Sequence, residues 1–143
     1  MKYHFPNTNN NEWIDKYNKL VDEVASKEDY YKEYKKHQSK RDDKHWENYT
    51  LEHVGIHHII PKKIDMTLLK DKNNLLYIPL KHHLELHYYL WKADPKYASH
   101  FWFICIAARK MKLWDLPGGE NEYRQLAKDT ALSRKKINYL IEI

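Results

Sequence analysis

The chain has 143 residues but only one cysteine, Cys105, and no long apolar run. A single cysteine excludes an intramolecular disulfide and is typical of a reducing compartment. Because Cys105 stands among apolar residues, we expect it to be a small buried hydrophobe. The longest apolar run, Phe101 to Ala108, is too short to span a bilayer, and the N-terminus lacks the apolar segment of a signal peptide. We therefore expect a cytoplasmic protein without a membrane partner.

Arginine is also scarce. Of the 25 basic residues only four are arginines, and the net charge is +5. A basic excess, though modest here, favours a polyanionic partner such as nucleic acid. Lysine meets phosphate as a point charge, without the bidentate geometry of arginine. The composition therefore favours contacts with a nucleic-acid backbone over reading of the bases.

The length and the apolar content predict one domain. With 42% apolar and 14% aromatic residues, a chain of this size can bury on the order of 70% of its unfolded surface. Low complexity is confined to residues 7–11. We predict an α+β fold, mostly helical, within a single domain 1–143. It would comprise an N-terminal helical region 1–45, a central segment 50–92 and C-terminal helices 97–143.

Helical periodicity appears twice in the first third of the chain. Asn10 or Asn11 can cap a first helix. Its apolar residues recur at helical spacing and are Trp13, Ile14, Tyr17, Leu20, Val21 and Val24. Ser26, with Asp29 three positions later as in a capping box, predicts the start of a second helix, which runs to about Ser39.

The rest of the chain is predicted to contain two extended segments and four helices. The extended segments are Tyr49 to Ile60, which a proline ends, and Leu75 to Ile78. Pro79 suits the start of a helix. The predicted helices are Leu80 to Lys92, Tyr97 to Leu113, Asn121 to Ala131 and Ser133 to Ile141, with a turn at Pro117-Gly118-Gly119 before the last two.

Six of the ten histidines fall in a short central stretch. His83 and His87 are four residues apart on a predicted helix, so both can point at one ion. The doublet His57-His58 ends the first extended segment and offers a third imidazole, with one to spare. Three ligands and an open position are typical of a catalytic metal, whereas a structural site is normally closed by four. The spare histidine is then a candidate general base.

This arrangement resembles the HNH (His-Me finger, ββα-metal) endonucleases. In that family a histidine doublet ends one strand, an Asn-Leu pair opens the next, and a helix carries His-x-x-x-His. Here the pair is Asn74-Leu75, and the helix histidines follow Asn74 by nine and thirteen residues. The texts "HHIIPK", "NLLYIPLKHHLELHYYLWK" and "FWFICIAARKM" are similar to those of small free-standing phage and prophage members. The resemblance covers residues 50–112 well and 120–135 weakly, but not 1–45.

The resemblance implies a ββα-metal hairpin and helix embedded among helices. It implies that His57, His83 and His87 hold one divalent metal ion (Mg²⁺, Mn²⁺, Ni²⁺ or Zn²⁺) and that His58 is the general base. Three neutral imidazoles suit Zn²⁺, Ni²⁺ or Mn²⁺ better than Mg²⁺. Asn74 resembles the catalytic positioning residue of the family, which either braces the hairpin linker or orients His58.

The function implied is metal-dependent hydrolysis of DNA phosphodiester bonds in a bacterial host cell, by a phage or prophage endonuclease. Within the same class, a restriction or toxin nuclease is the alternative. From other classes, the chain could be a structural metal protein, or a non-cleaving nucleic-acid-binding or regulatory module that keeps the fold. A base beside the ligands argues against such modules, because they do not need one.

Lysines and one arginine are the candidate nucleic-acid contacts. Lys62 and Lys63 follow the histidine doublet and could meet phosphates. Arg134, Lys135 and Lys136 form a basic cluster near the end of the chain, which fits a DNA contact or a solvated tail equally well.

The chain departs from the family pattern in two places. Residues 62–70 replace a Gly-Gly turn with a longer, partly apolar linker, and the Cys-x-x-Cys pairs of another family branch are absent. We therefore expect no second, structural zinc. His82 lies about 100° around the helix from His83 and His53 matches no role in the family, so neither is assigned to the site.

Overall fold

The computed structural model describes residues 2–27, 29–38, 54–108 and 116–142, with only the backbone at 37–38, 103–104, 106–108 and 133–142. These residues form five helices and two strands. The helices are α1 (Glu12–Ala25), α2 (Asp29–Gln38), α3 (Leu80–Ala93), α4 (Ala98–Ala108) and α5 (Gly119–Glu142), and the strands are β1 (Val54–His58) and β2 (Leu75–Pro79). The fold is α+β and mostly helical, as predicted. No helix in the described ranges has both the length and the hydropathy needed to cross a membrane.

Helix α1 begins where the sequence predicts. The Asn11 side chain accepts a hydrogen bond from the backbone N–H of Trp13 at 2.8 Å, which satisfies one of the free donors of the first turn. Ser26 was predicted to open α2, and this is wrong. Its hydroxyl donates instead to the carbonyl of Glu23, so Ser26 ends α1, and α2 begins at Asp29.

The two strands form an antiparallel hairpin, and its register determines which residues of β2 lie opposite the histidine doublet. His57 lies opposite Leu76 and His58 opposite Leu75. The linker between the strands contains two 3-10 turns, Met66–Leu68 and Lys72–Asn74, each begun by an aspartate side chain that accepts a backbone N–H. The predicted extension of the first strand toward Tyr49 falls outside the described residues.

Asn74 braces this linker. Its side chain is fully buried; Oδ1 accepts the N–H of Ile60 at 2.8 Å, and Nδ2 donates to the carbonyls of Ile60 at 3.1 Å and Leu68 at 3.3 Å. The backbone carbonyl of Asn74 also accepts the N–H of Ile59 at 2.9 Å. Within the described hairpin no hydrogen bond joins Asn74 to His58. The sequence left two roles open for Asn74, namely bracing the hairpin linker and orienting His58. The contacts of Asn74 are those of a residue that braces the linker.

Helix α3 is buried on two flanks, because separate apolar clusters cover it. Leu86 and Leu90 pack with α1 residues and with Leu76 and Ile78 of β2 in one cluster. Leu84 and Trp91 pack in the other, against residues of α4 and α5. At about 100° per residue, Leu80, His83, His87, Leu90 and Trp91 share one side of α3. Leu84 and Leu86 lie outside that stripe, yet both are buried.

The C-terminal region differs from the prediction in one respect. Two short helices were predicted after residue 120, but α5 runs unbroken through both. After its first residue, Gly119, α5 contains no proline or glycine, and an interior serine such as Ser133 disfavours a helix only slightly. The predicted turn before it is present, with the N–H of Gly119 donating to the carbonyl of Leu116. The predicted extension of α4 to Leu113 falls outside the described residues.

Replacement of Asn74 by alanine should destabilise the protein. The substitution leaves the backbone N–H and carbonyl of Ile60 and the carbonyl of Leu68, which are partly buried, without this partner, and each such loss costs up to about 1–3 kcal/mol. We expect the free energy of unfolding, measured with urea, to fall by at least about 2 kcal/mol. The control is Asn73→Ala, since Asn73 is exposed and exposed substitutions change stability little. Equal losses in the two variants would contradict the brace.

Candidate metal centre

Three histidine rings meet where the end of β1 approaches α3. The ring centroid of His57 lies 5.0 Å from that of His83 and 4.9 Å from that of His87, and the last two are 4.9 Å apart. One ring nitrogen from each lies within 4.8 Å of the others, close enough for the group to hold one metal ion. His83 and His87 reach the same point because they are one helical turn apart. The register of the hairpin places His57 beside His83 and His87.

The three imidazoles are neutral at physiological pH. Burial, and then the neighbouring His87, His83 and His58, lower the pKa of His57 well below its usual value. Burial, followed by His58, lowers the pKa of His83 to about 4. The pKa of His87 is likewise lowered, first by burial and then by His83 and His100. Neutral imidazole is the form that binds metals, so the trio keeps its lone pairs available.

The donor set fits a divalent transition-metal ion. His87 Nδ1 is buried without a hydrogen-bond partner among the described residues, and a metal ion would coordinate the lone pair of such a nitrogen. All three members of the trio are histidines, and imidazole nitrogen suits Zn²⁺ and Ni²⁺ better than it suits Mg²⁺. The trio is therefore chemically suited to a metal, with coordination positions left for other ligands.

His58 lies beside this trio but is not one of its members. It is the last residue of β1, and consecutive strand residues point to opposite faces of a sheet, so His58 and His57 diverge. The side chain of His58 is only partly buried. His58 is among the groups that lower the pKa of both His57 and His83. The doublet therefore offers one buried and one accessible imidazole.

Two side chains next to the trio were not assigned to the site from the sequence. The Tyr17 hydroxyl lies 2.7 Å from His57 Nε2 and donates to the carbonyl of Ile59, also at 2.7 Å. The ring of His100, on α4, is 6.1 Å from that of His87. Tyr17 could have been noticed, because a tyrosine inside an apolar helical stripe needs a partner for its hydroxyl. The sequence around His100 carries no comparable signal.

The other residues considered in the sequence are not members of the trio. His82 Nδ1 pairs with Glu85 at 3.1 Å, and His82 is outside the trio, as expected. Lys62 and Lys63 are exposed, and the charge of Lys63, after burial, contributes to lowering the pKa of His100. His53 falls outside the described residues.

The C-terminal basic cluster stays a prediction. The backbone of residues Arg134, Lys135 and Lys136 is part of α5, but their side chains are outside the described part of the chain.

Comparison of the chain with protein-family models, with curated proteins and with solved structures finds no match.

The metal-free protein should lose stability as the pH falls below about 6.5. In the unfolded chain a histidine titrates near 6.5, whereas His83 in the folded chain titrates near 4. Between these values the unfolded state binds protons that the folded state does not. The free energy of unfolding should thus decrease as the pH decreases, by up to about 1.4 kcal/mol per pH unit for each such group. Above pH 6.5 the effect should vanish.

Urea unfolding at several pH values between 4 and 7.5 measures this slope. His83→Gln should give a shallower slope than the wild type, and Asn73→Ala, at an exposed residue that does not titrate, should match the wild type. An unchanged slope in His83→Gln would show that the folded protein does not hold His83 in its neutral form.

Metal titration by calorimetry tests the ligand set directly. We expect one divalent ion per chain, and a large loss of affinity in His83→Ala and in His87→Ala, since each removes one of three donors. His82→Ala, one residue from His83 but paired with Glu85, should bind like the wild type. A comparable loss in His82→Ala would mean that the ligands are misassigned.

Proposed function

We propose that this chain is a metal-dependent DNA endonuclease of the HNH (His-Me finger, ββα-metal) kind. The observation that carries the proposal is the convergence of His57, His83 and His87 from a hairpin end and a helix, with the accessible His58 beside them. Three protein ligands leave positions for water and substrate, as catalytic sites require. A site with a purely structural metal would not need the adjacent histidine.

Hydrolysis of a phosphodiester needs a nucleophile, neutralisation of the added negative charge and a stabilised leaving oxygen. When bound, a divalent cation supplies Lewis-acid stabilisation of the phosphate and of the leaving oxygen. His58 would take the proton of the attacking water as the bond from its oxygen to phosphorus forms and the bond to the 3′ oxygen breaks. Because His58 and His57 project from opposite faces of β1, one can bind the ion while the other meets the water.

The surroundings of the trio support a polyanionic substrate. Lys62 and Lys63 are exposed in the linker immediately after the histidine doublet, and the chain carries a net charge of +5. Asn74 holds the first residues of this linker through Ile60, so it would position these lysines relative to His58. Lysines contact the phosphate backbone rather than the bases, and the proposal is therefore an enzyme with weak sequence preference.

The biological setting rests on sequence. The similarity to small phage and prophage endonucleases extends through the histidines, Asn74 and the following helix, and we propose such an origin for this chain. A restriction or toxin nuclease would use the same chemistry.

Cleavage of supercoiled plasmid tests the proposal. With Mg²⁺, Mn²⁺ or Ni²⁺ the wild type should nick or linearise the plasmid, and EDTA should abolish the activity. His58→Ala should lower the rate by about 10²–10⁴-fold, the usual contribution of a positioned general base, while metal affinity and stability stay close to wild type. His87→Ala should lose metal and cleavage together.

His82→Ala is the matched control and should cleave like the wild type. If His58→Ala is as fast as the wild type, the assignment of the base is wrong. If the wild type binds metal and DNA but cuts nothing with any of these ions, the non-cleaving module replaces the enzyme.

A further inference from the structure

Tyr17 makes two short hydrogen bonds at the edge of the histidine trio. It lies on α1, is fully buried, and its hydroxyl is 2.7 Å from both His57 Nε2 and the backbone oxygen of Ile59. Its ring makes edge contacts with the rings of Phe5, at 5.8 Å, and of His57, at 5.9 Å. The hydroxyl is thus held between one ring nitrogen and one carbonyl oxygen.

The position of the protons follows from counting donors. A tyrosine hydroxyl has one hydrogen, and a backbone carbonyl can only accept. The hydrogen of Tyr17 therefore goes to Ile59, and the hydroxyl oxygen is left to accept from His57. His57 can make the second bond only if Nε2 carries its proton. A neutral imidazole has a single N–H, so Nδ1 of His57 has the free lone pair.

We propose that Tyr17 is a positioning residue that holds His57 in the Nε2–H form, so that Nδ1 is the atom His57 presents to a metal ion. This inference rests on the metal site of the proposed function, but not on DNA cleavage. A partner at the second nitrogen fixes the orientation of a histidine ligand and makes it a better donor. For His57, this partner is the hydroxyl oxygen of Tyr17, which accepts the Nε2 proton.

The same hydroxyl also anchors the backbone that carries the candidate base. Ile59 accepts from Tyr17 at its carbonyl and donates its N–H to the carbonyl of Asn74. His58 lies between Ile59 and His57, so both of its chain neighbours are bonded to Tyr17. One side chain from α1 thus sets the position of the ligand and of the strand end beside it.

Helix α1 lies in the N-terminal region, to which the sequence resemblance assigns no role. Val21 and Val24 of α1 belong to the same buried cluster as Leu86 and Leu90 of α3. This packing holds α1 against the helix that carries His83 and His87, and so places Tyr17 at the trio. The N-terminal region would then complete the metal site from outside the hairpin and helix.

Nitrogen-15 NMR of the metal-free protein tests the tautomer without any metal or DNA. Long-range proton–nitrogen correlation spectra distinguish a protonated from an unprotonated ring nitrogen, and His57→Ala assigns the signals. We expect a proton on Nε2 of His57, slow to exchange with solvent, and none on Nδ1. A proton on Nδ1 in the wild type would overturn the inference, whatever the protein does to DNA.

Tyr17→Phe tests the consequence, because it removes the hydroxyl and keeps the ring. We expect the Nε2 proton signal of His57 to move and to exchange faster, and metal affinity measured by calorimetry to fall about 10–100-fold. The control is Tyr34→Phe, since Tyr34 is also buried but packs against Tyr77 of β2. It should leave both readouts at wild-type values.

The outcomes separate this inference from the proposed function. Wild-type affinity in Tyr17→Phe, or an equal loss in Tyr34→Phe, overturns the role of Tyr17 while the metal site stands. A wild type that binds no divalent ion overturns the proposed function, and with it the role of Tyr17 toward a metal. A wild type that binds metal but does not cleave DNA contradicts the nuclease alone and leaves the role of Tyr17 supported by the other two readouts.

Discussion

Three imidazole rings lie against one another where the end of β1 meets α3, and two of them, His57 and His87, are buried. A charged ring there would lose its hydration and face two neighbours that could also carry a proton. Folding therefore holds His57, His83 and His87 neutral and lowers their pKa values. Because the rings are neutral, they are also good metal ligands. The free energy that their burial costs is therefore also the free energy that prepares the metal site.

The surrounding fold holds both sides of this contact rigidly. Helix α3 is covered on two flanks by apolar clusters, so its histidines have little freedom to turn away. The strand end is held by hydrogen bonds instead. Tyr17 of α1 hydrogen-bonds to Ile59. Asn74, at the end of the linker, hydrogen-bonds to both Ile59 and Ile60. Neither side chain is exposed, and such buried polar bonds are costly to break.

Accessibility divides the histidine doublet by the chemistry that we propose for it. His57 is buried, whereas the neighbouring His58 is only partly buried and Lys62 beyond it is exposed. Ligands need fixed geometry, and a general base needs contact with water and substrate. An alternating strand meets both needs with two adjacent residues, because it sends one side chain inward and the next outward.

Local periodicity was enough to predict the hairpin strands, α3 and the pairing of His83 with His87, since these depend on spacing along the chain. It also limited the cap of α1 to Asn10 or Asn11, and Asn11 caps the helix. Where it failed, at Ser26 and in the unbroken α5, short polar signals suited more than one local structure. Tertiary structure alone brought Tyr17 to His57 across forty residues of sequence and lowered the pKa values of the trio. Burial and long-range hydrogen bonds depend on how helices and hairpin pack, and no local pattern encodes them.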